Sequence, residues 1–473
     1  MSKTKIVATV GPSSSEKDTL KEMIYSGMDV VRLNMTHATH SFCDDIIRKI
    51  NELNKELDTN VAIMMDLQGP DVCINKLEEG EAELVDGEIV RIYMDDRVGN
   101  AKGFSTNYHK LLQEVKYNTT IKIDDGKIEL EVIDKEEDAL VCRIIQGGMI
   151  SSHKTLNVID TMLDIPFLSE KDKDDLAYAN DHNIDYVALS FVTSAEDVLE
   201  VNDMLIDFEN NHMGIIAKVE AQQALDEIDE IIRVSDGVMI ARGDLGVSIP
   251  MERIPGIQKS IISKCHIAGK ISIVATEMLS SMENSMRPTR AEVSDVANAV
   301  LDGVDAVMLS GETTIGIYPV ETLGMMEKII VSAEEDISYY ALLDKAMRTE
   351  KQDITGSIAY SVTECANRLK CKAILAPTMS GYTARKMSRF RPSCPIIAMS
   401  PDRDTVKSLA LYFGVQPVYI KDFNNFDKLM DISVKTARQY VDMNPGDRII
   451  VTGGYPFHQV KHTNFMKIEQ IES

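Results

Sequence analysis

The sequence predicts an α/β protein: a (β/α)8 TIM barrel with a small inserted β-domain and a C-terminal α/β domain. Three observations lead to this fold class. Eight short β-branched runs recur, each followed by a helical pattern. A long segment between the third and fourth runs has the alternating pattern of short strands, and a second series of four apolar runs follows the eighth unit. A length of 473 residues also corresponds to roughly three domains.

The eight runs are continuously apolar, which is typical of parallel strands covered by helices. We expect them at Lys5–Val10, Val30–Met35, Val61–Leu67, Tyr186–Val192, Ile215–Glu220, Gly237–Ala241, Ile271–Thr276 and Ala306–Ser310. Helical patterns between them include Glu16–Ser26, His40–Leu57, Ala195–Asn210 and Ile254–Ala268. The predicted barrel therefore occupies residues 1–70 and 166–340.

Residues 71–165 are expected to form the inserted β-domain. Short alternating stretches separated by Gly and Asp turns predict strands at Glu81–Leu84, Ile89–Met94, Thr120–Ile123, Ile128–Ile133 and Leu140–Ile145. A β-domain inserted at the C-terminal end of a barrel suits a lid, although a domain without function would have the same pattern.

Residues 350–473 are expected to form the third domain, with its own open sheet. Its predicted strands are Ala373–Pro377, Pro395–Met399, Gln416–Ile420 and Arg448–Thr452.

The chain is strongly acidic, with 75 Asp and Glu against 50 Lys and Arg and a net charge of −25. This charge makes nucleic acid and anionic membranes unfavourable partners. No apolar run approaches the roughly 18 residues of a membrane span, and the seven cysteines include no C-x-x-C pair. We therefore expect a cytoplasmic protein with reduced thiols. An anionic substrate would need positive charge concentrated in one place.

Barrel enzymes place their reactive groups where strands end and loops begin. Polar residues at those ends are Arg32, Asn34, Asp66, Lys218, Glu220, Asp244, Thr276 and Ser310–Thr313. Two cations and several carboxylates at one barrel mouth predict a hard-oxygen site suited to Mg²⁺, with a lysine that stabilises a transferring phosphoryl group or an enolate. Gly243 would let the backbone approach a ligand closely. For any one of these charges alone, a functional role is no better supported than a solvated strand end or a structural ion pair.

Two further segments each have two interpretations. Thr289 and Glu292 form a capping box that either only begins a helix or directs its N-terminus at the site. The loop Thr378–Thr383 precedes a helical stretch and is either a phosphate cradle or a capped helix start. The basic residues that follow it, Arg385, Lys386, Arg389 and Arg391, are either a binding patch or a solvated face.

The motifs of this chain resemble the pyruvate kinase family from Lys3 to the C-terminus. They are Lys5-Ile-Val-Ala-Thr-Val-Gly-Pro, Val-Arg32-Leu-Asn34-Met-Thr36-His37, Asp66-Leu-Gln-Gly-Pro, Ile-Ile-Ala-Lys218-Val-Glu220, Ala-Arg-Gly-Asp244-Leu-Gly, Arg-Pro-Thr-Arg-Ala-Glu292 and Met-Leu-Ser-Gly-Glu-Thr313. The resemblance implies the same three-domain fold. It also implies phosphoryl transfer from phosphoenolpyruvate to ADP, which gives pyruvate and ATP in the last step of glycolysis.

The resemblance further implies roles for individual residues. Arg32 would hold the substrate phosphate, Lys218 would stabilise the transferring group and the enolate, and Thr313 would lie on the proton path. Glu220 and Asp244 would bind Mg²⁺ or Mn²⁺, with the Gly243 backbone and Asp244 beside the substrate. The remaining implied sites are Asn34, Thr36, Asp66 and the Leu67 carbonyl for a monovalent cation; Asn34, His37 and Lys154 for the nucleotide; and Thr378, Ser380, Gly381 and Thr383 for a phosphorylated sugar or nucleotide effector. Family members are usually homotetramers.

Several positions depart from the family pattern. Leu67 and Gln68 resemble potassium-independent members, but Asp71 stands where those members have a lysine, which favours a retained monovalent cation such as K⁺. Cys73 replaces an arginine near the nucleotide phosphates. The loss of that arginine should weaken nucleotide binding or transfer. Thr193 and Ala221 replace an arginine and an asparagine.

These departures leave two alternatives to an active kinase. One is an atypical paralogue with weak or no activity that binds metabolites or regulates. The other is a different enolate-forming barrel enzyme, such as a lyase, which the inserted domain and the Thr313 motif disfavour.

Overall fold

The computed structural model describes residues 2–124, 126–159, 161, 163–210, 212–349, 353–421, 425–456 and 462–472. The barrel begins with β1 (Lys5–Thr9), α1 (Lys17–Tyr25), β2 (Val30–Asn34), α2 (His40–Leu57) and β3 (Ala62–Asp66). The inserted segment then contains β4 (Glu81–Leu84), β5 (Ile89–Tyr93), β6 (Gly103–Ser105), α3 (Leu111–Glu114), β7 (Thr120–Ile123), β8 (Ile128–Lys135), β9 (Ala139–Gln146), β10 (Gly148–Ser151) and β11 (Leu156–Val158).

The barrel resumes after the insertion and is followed by the C-terminal domain. The remaining barrel elements are α4 (Glu170–Asp181), β12 (Tyr186–Leu189), α5 (Ala195–Asp207), β13 (Gly214–Val219), α6 (Gln222–Asp226), α7 (Ile228–Val234), β14 (Gly237–Ala241), α8 (Arg242–Ser248), α9 (Ile254–Ala268), β15 (Ile271–Ala275), α10 (Arg290–Leu301), β16 (Ala306–Leu309), α11 (Gly311–Thr314) and α12 (Pro319–Glu335). The C-terminal elements are α13 (Tyr339–Thr349), α14 (Ile354–Leu369), β17 (Ala373–Pro377), α15 (Tyr382–Arg389), β18 (Ile396–Ser400), α16 (Arg403–Lys407), β19 (Val415–Tyr419), α17 (Phe426–Tyr440), β20 (Arg448–Gly453) and β21 (Phe465–Gln470).

The eight parallel strands close into a barrel in the order β1-β16-β15-β14-β13-β12-β3-β2, which confirms the predicted fold class. The inserted segment forms a six-stranded sheet, β11-β7-β8-β9-β5-β6, and the β10-β4 pair. The C-terminal sheet has the order β19-β18-β17-β20-β21. Only its last strand runs antiparallel among the strands of that sheet. No helix in the described ranges is both long and apolar enough to cross a membrane.

Strand alternation divides the barrel residues into two layers. Ile6 and Ala8 face the surrounding helices, whereas Val7 lies in a cluster that joins the barrel interior to the C-terminal domain. Along β2, β3 and β13 the interior positions are apolar at the amino end. Two residues later they become charged, because Arg32 follows Val30 and Lys218 follows Ile216. The barrel interior is therefore filled with apolar side chains at the amino end of the strands and lined by charged side chains at the carboxyl end.

The structure corrects several predicted boundaries. The fourth strand was predicted to reach Val192 but ends at Leu189, because Phe191 has a φ of 56°. The short strands β6, β10 and β11 and the antiparallel β21 were not predicted. Thr289 and Glu292 do form a capping box at the start of α10, and Glu292 also accepts a bond from the Ser281 amide at 2.7 Å.

Arg391 does not belong to a solvated basic patch, in contrast to one of its predicted interpretations. Its side chain is 2% exposed, and Nη1 lies 2.9 Å from Oδ1 of Asp305, which immediately precedes β16. Nη2 donates to the Gly303 carbonyl at 2.9 Å. Arg391 therefore joins the C-terminal domain to the barrel.

We predict that Arg391→Met lowers the thermal and urea unfolding midpoints, because Asp305 would stay buried without its partner. Breaking one side of a buried ion pair typically costs about 3–5 kcal/mol. The matched control is Arg368→Met, whose guanidinium is 78% exposed and 4.0 Å from Glu364. Equal shifts in the two variants would contradict the proposed role of Arg391.

Candidate active site

Four charged side chains meet at the carboxyl end of the barrel strands. Arg32 Nε lies 2.6 Å from Asp66 Oδ2, and Lys218 Nζ lies 3.3 Å from Asp66 Oδ1 and 3.0 Å from Glu220 Oε1. All four side chains are at most 10% exposed. Two cations and two carboxylates thus form a buried, charge-balanced group, which we call the mouth cluster (Arg32, Asp66, Lys218 and Glu220).

The cluster keeps Asp66 and Lys218 ionised. Burial alone would raise the pKa of Asp66, but the nearby Arg32 and Lys218 charges hold it below its usual value. Burial likewise opposes the charge on Lys218, but Asp66 and Glu220 outweigh it and raise the Lys218 pKa. Lys218 is therefore a fixed ammonium that does not release its proton near neutral pH.

A serine that was not among the predicted residues completes the cluster. Lys218 Nζ donates to Ser190 Oγ at 2.7 Å, and Ser190 Oγ donates to the Leu67 carbonyl at 2.7 Å. Gly69 has a φ of +77°, and a Cβ there would lie 2.9 Å from Ser190 Cβ, so this approach requires glycine. Ser190 directly follows β12, so the strand-end rule applied to the fourth strand would have found it.

A cavity of about 600 Å³ lies between the inserted domain and the barrel mouth. Its walls include Asp71, Val72 and Asn157 from the inserted segment and Phe191, Glu220 and Asp244 from the barrel. Lys122 Nζ of the insertion also donates to the Val247 carbonyl of the barrel at 2.8 Å. The inserted domain therefore forms one wall of the candidate site.

The negative charge of the Asp71 carboxylate is unfavourable in this cavity. Burial, and then the Glu220 charge, raise its pKa to about 7, while Lys218 opposes the shift. Among the described residues, no cation lies within ion-pair distance of its carboxylate.

The turn that follows β15 holds the backbone at Gly243 and Asp244 in place. The Gly243 amide donates to Thr276 Oγ1 at 2.8 Å, and Thr276 and Glu277 both have positive φ, 68° and 53°. Arg242 Nη2 donates to the Thr276 carbonyl at 2.8 Å and supports this strained turn. A Cβ on Gly243 would meet nothing closer than 3.5 Å, so the protein itself leaves room there.

Glu220 and Asp244 fit a divalent metal. Both line the cavity and offer carboxylate oxygens, the ligands that Mg²⁺ prefers while it shares substrate oxygens. Within the described ranges, no group of three or more His, Cys, Asp and Glu side chains forms a complete metal cage.

The other predicted site residues lie at different depths. Thr313 is fully buried and donates to the Thr9 carbonyl at 2.7 Å, while Thr9 Oγ1 accepts from Arg32 Nη1 at 2.9 Å. Thr36 and His37 are exposed after β2, where Asn34 Oδ1 accepts the Thr36 amide at 3.2 Å. None of these residues is among the described residues that line the cavity.

Lys154 and the Thr378–Thr383 loop lie in the other two domains. Lys154 Nζ pairs with Asp124 Oδ1 at 2.5 Å within the inserted domain. Gly381 adopts a φ of +73° at the start of α15, and buried Thr383 bonds Thr463 at 2.9 Å. Ser380 offers its carbonyl to Arg385 at 2.7 Å.

The residues that depart from the family pattern have local partners. The Cys73 amide donates to Asn107 Oδ1 at 2.8 Å, and the Thr193 hydroxyl lies 3.0 Å from Asp197 Oδ2 at the start of α5. Ala221 precedes α6, and Leu67 is buried. All seven cysteines are free thiols.

A closed barrel with a buried cluster of charged residues at the carboxyl end of its strands, next to a cavity, has the arrangement of a barrel enzyme's active site. Residues 1–323 match the family model described as the pyruvate kinase barrel domain, and residues 356–469 match the pyruvate kinase alpha/beta domain. The chain belongs to the pyruvate kinase family, which consists of phosphotransferases.

Curated relatives agree with this assignment. The chain is 40% identical to a pyruvate kinase of Clostridium perfringens over 474 aligned positions, which cover all of both proteins. It is also 40% identical over 473 positions to pyruvate kinases of Sporosarcina psychrophila and Staphylococcus aureus, where the alignment covers 81% of each relative.

We predict that Asp71→Asn stabilises the metal-free protein at high pH but not at low pH. The wild-type carboxyl has a raised pKa. Its favourable contribution to the free energy of unfolding is therefore complete below about pH 4 and is lost as the pH rises through about 7. The melting temperature of the variant in EDTA should exceed that of wild type by a few degrees at pH 8. The control is Glu137→Gln on the exposed surface of the insertion; a difference that does not change between pH 5 and pH 8 would contradict the prediction.

Proposed function

We propose that this protein transfers the phosphoryl group of phosphoenolpyruvate to ADP and releases pyruvate and ATP, the last step of glycolysis. Family membership supports this reaction. The observation that carries it is the mouth cluster, which keeps a charged lysine between Asp66 and Glu220, and Glu220 together with Asp244 fits a metal. A fixed cation of this kind stabilises negative charge that develops on a transferring phosphoryl group.

The reaction divides among the residues as follows. Arg32 binds the substrate phosphate and Lys218 faces the bridging region, while the phosphorus–oxygen bond of phosphoenolpyruvate breaks and a new bond forms to the terminal ADP oxygen. The enolate left behind takes a proton at its methylene carbon. Because the raised pKa keeps Lys218 protonated, Lys218 stabilises the enolate oxygen, and the proton comes along a path that includes Thr313.

Bound ions complete this proposal. Mg²⁺ or Mn²⁺ held by Glu220 and Asp244 would supply Lewis-acid charge to the substrate oxygens. Oxygen atoms of Asn34, Thr36, Asp66 and Leu67 would hold K⁺. The high pKa of Asp71 supports a retained monovalent cation, since a nearby positive charge would relieve the repulsion between Asp71 and Glu220.

The surroundings of the reaction follow from the same assignment. His37, Lys154 and Asn34 would contact the nucleotide as the inserted domain closes. The Thr378–Thr383 loop would bind a phosphorylated sugar or nucleotide effector. The protein would act as a cytoplasmic homotetramer.

Cys73 and Thr193 favour a second candidate, an atypical paralogue that binds metabolites with weak or no turnover. Both replace arginines of the family pattern, and Thr193 is instead engaged in capping α5. An assay with phosphoenolpyruvate, ADP and Mg²⁺, with and without K⁺, separates the two candidates. Pyruvate formation supports the kinase; ligand binding by calorimetry without turnover in any cation supports the paralogue.

We predict that Lys218→Met lowers kcat by about 10²–10³ with a much smaller change in KM, as expected for a charge used mainly in the transition state. The control is Lys5→Met, which removes another buried, ion-paired lysine, 3.0 Å from Asp29 at the opposite end of the barrel. Thermal melting checks that both variants fold. Near-normal turnover of Lys218→Met would exclude the role given to Lys218.

We further predict that Cys73→Arg raises kcat/KM for ADP by restoring a bidentate phosphate donor. Cys73→Met is the matched variant, since it lengthens the side chain without adding charge. Steady-state kinetics with varied ADP measure the effect. The prediction is wrong if the kcat/KM of Cys73→Arg is not above that of wild type, or if it equals that of Cys73→Met.

A further inference from the structure

A second large cavity lies between the barrel and the C-terminal domain, at the end of the barrel opposite the mouth cluster. It has a volume of about 1020 Å³ and is bordered by the end of α2, the start of β3, α16, β19 and α17. We call it the interdomain groove. Its cationic lining residues are Lys55, Arg403, Lys407, Lys421, Lys428 and Lys435.

The charge of the groove is opposite to that of the protein as a whole. Six cations line it, and the carboxylates among its described lining residues are only Asp58 and Asp404. The complete chain has a net charge of −25. Cations gathered into one concave surface repel each other and create a local positive potential that attracts anions.

Four of these cations have no ion-pair partner among the residues that the structure describes. In the described part of the chain, Lys55, Lys421, Lys428 and Lys435 have no carboxylate within 4.0 Å. Their ammonium groups are therefore available to an external anion.

The other two cations are held in place. The Arg403 guanidinium lies over the Tyr419 ring, 4.2 Å from its centroid, and Lys407 Nζ lies 3.6 Å from Asp185 Oδ2. A stacked guanidinium is a preorganised, planar donor suited to bidentate contact with a phosphate group.

We propose that the interdomain groove binds a phosphorylated small metabolite that carries at least two negative charges. Lysine ammonium groups and Arg403 would contact the phosphate oxygens, and the amides of Asn51 and Gln439, which also line the groove, would bond the polar remainder. The volume is at the upper end of ordinary small-molecule sites, which hold an organic phosphate with space for water. The Thr378–Thr383 loop contributes none of the described lining residues, so this site is additional to the proposed effector loop.

The groove also contacts the strand that leads to the mouth cluster. Ile63 lies in the groove wall near the start of β3, and its amide donates to Asp185 Oδ2 at 2.8 Å, the same carboxylate that faces Lys407. Asp66 ends that strand three residues later. A ligand that attracts Lys407 would act on the strand that carries Asp66; this coupling to activity rests on the proposed function, whereas binding itself does not.

Isothermal titration of the full chain with inorganic pyrophosphate, ribose 5-phosphate and adenosine monophosphate tests the site. The variant is Lys428→Gln combined with Lys435→Gln, two exposed positions on α17 where glutamine keeps the helix propensity. The control, Lys116→Gln with Lys328→Gln, removes the same charge from exposed positions outside the groove lining. Thermal melting verifies that both proteins are folded.

We expect at least one probe to bind wild type and the control alike, and to bind the groove variant at least about tenfold more weakly, equivalent to about 1.4 kcal/mol. The absence of binding by all three probes, or an equal loss in the groove and control variants, would overturn the proposal. Unchanged affinity in the groove variant would assign the binding elsewhere and overturn it as well. Catalytic failure in the kinase assay leaves these binding results unaffected, so the two proposals fail separately.

Discussion

Asp66 is bonded to both cations of the barrel mouth, one through each carboxylate oxygen. Without Asp66, Arg32 would lose its buried ion-pair partner and Lys218 would keep only Glu220, which is costly because an isolated buried ion is far less stable than a solvated one. Glu220 supplies the second negative charge, so the cluster has no net charge of its own. A substrate with several negative charges therefore gains from added cations, and Glu220 and Asp244 face the cavity where such ions would bind.

This charge balance also explains the roles of the surrounding uncharged residues. Ser190 Oγ accepts a hydrogen bond from Lys218 Nζ and donates one to the Leu67 carbonyl, which fixes the direction of the ammonium group. Thr9 holds the far side of Arg32 and is itself bonded by Thr313. Arg32, Asp66 and Lys218 each pair with a residue of another strand, so the cluster links β2, β3 and β13.

The sequence predicted the barrel and the charged residues of the mouth well, because both depend on short-range patterns. Each barrel strand is a short apolar run followed by a helical pattern, and alternation along β2 and β13 places Arg32 and Lys218 on the same side as the apolar interior. Ser190 was missed because the fourth strand was predicted to continue to Val192, which places Ser190 inside the strand instead of at its end. β21 was missed because its residues are half-buried or exposed and form no continuous apolar run. The burial of Arg391 was missed because it depends on Asp305, which is distant in the sequence.

The shared apolar cluster of the barrel and the C-terminal domain has a practical consequence. Val7, Met64 and Tyr186 pack inside the barrel in the same cluster as Phe390 and Leu409, and the Tyr186 hydroxyl donates to the Ser408 carbonyl at 2.7 Å. A shortened chain without the C-terminal domain would expose this open end of the barrel to water. Such a fragment is expected to aggregate, so limited proteolysis should not release a soluble barrel.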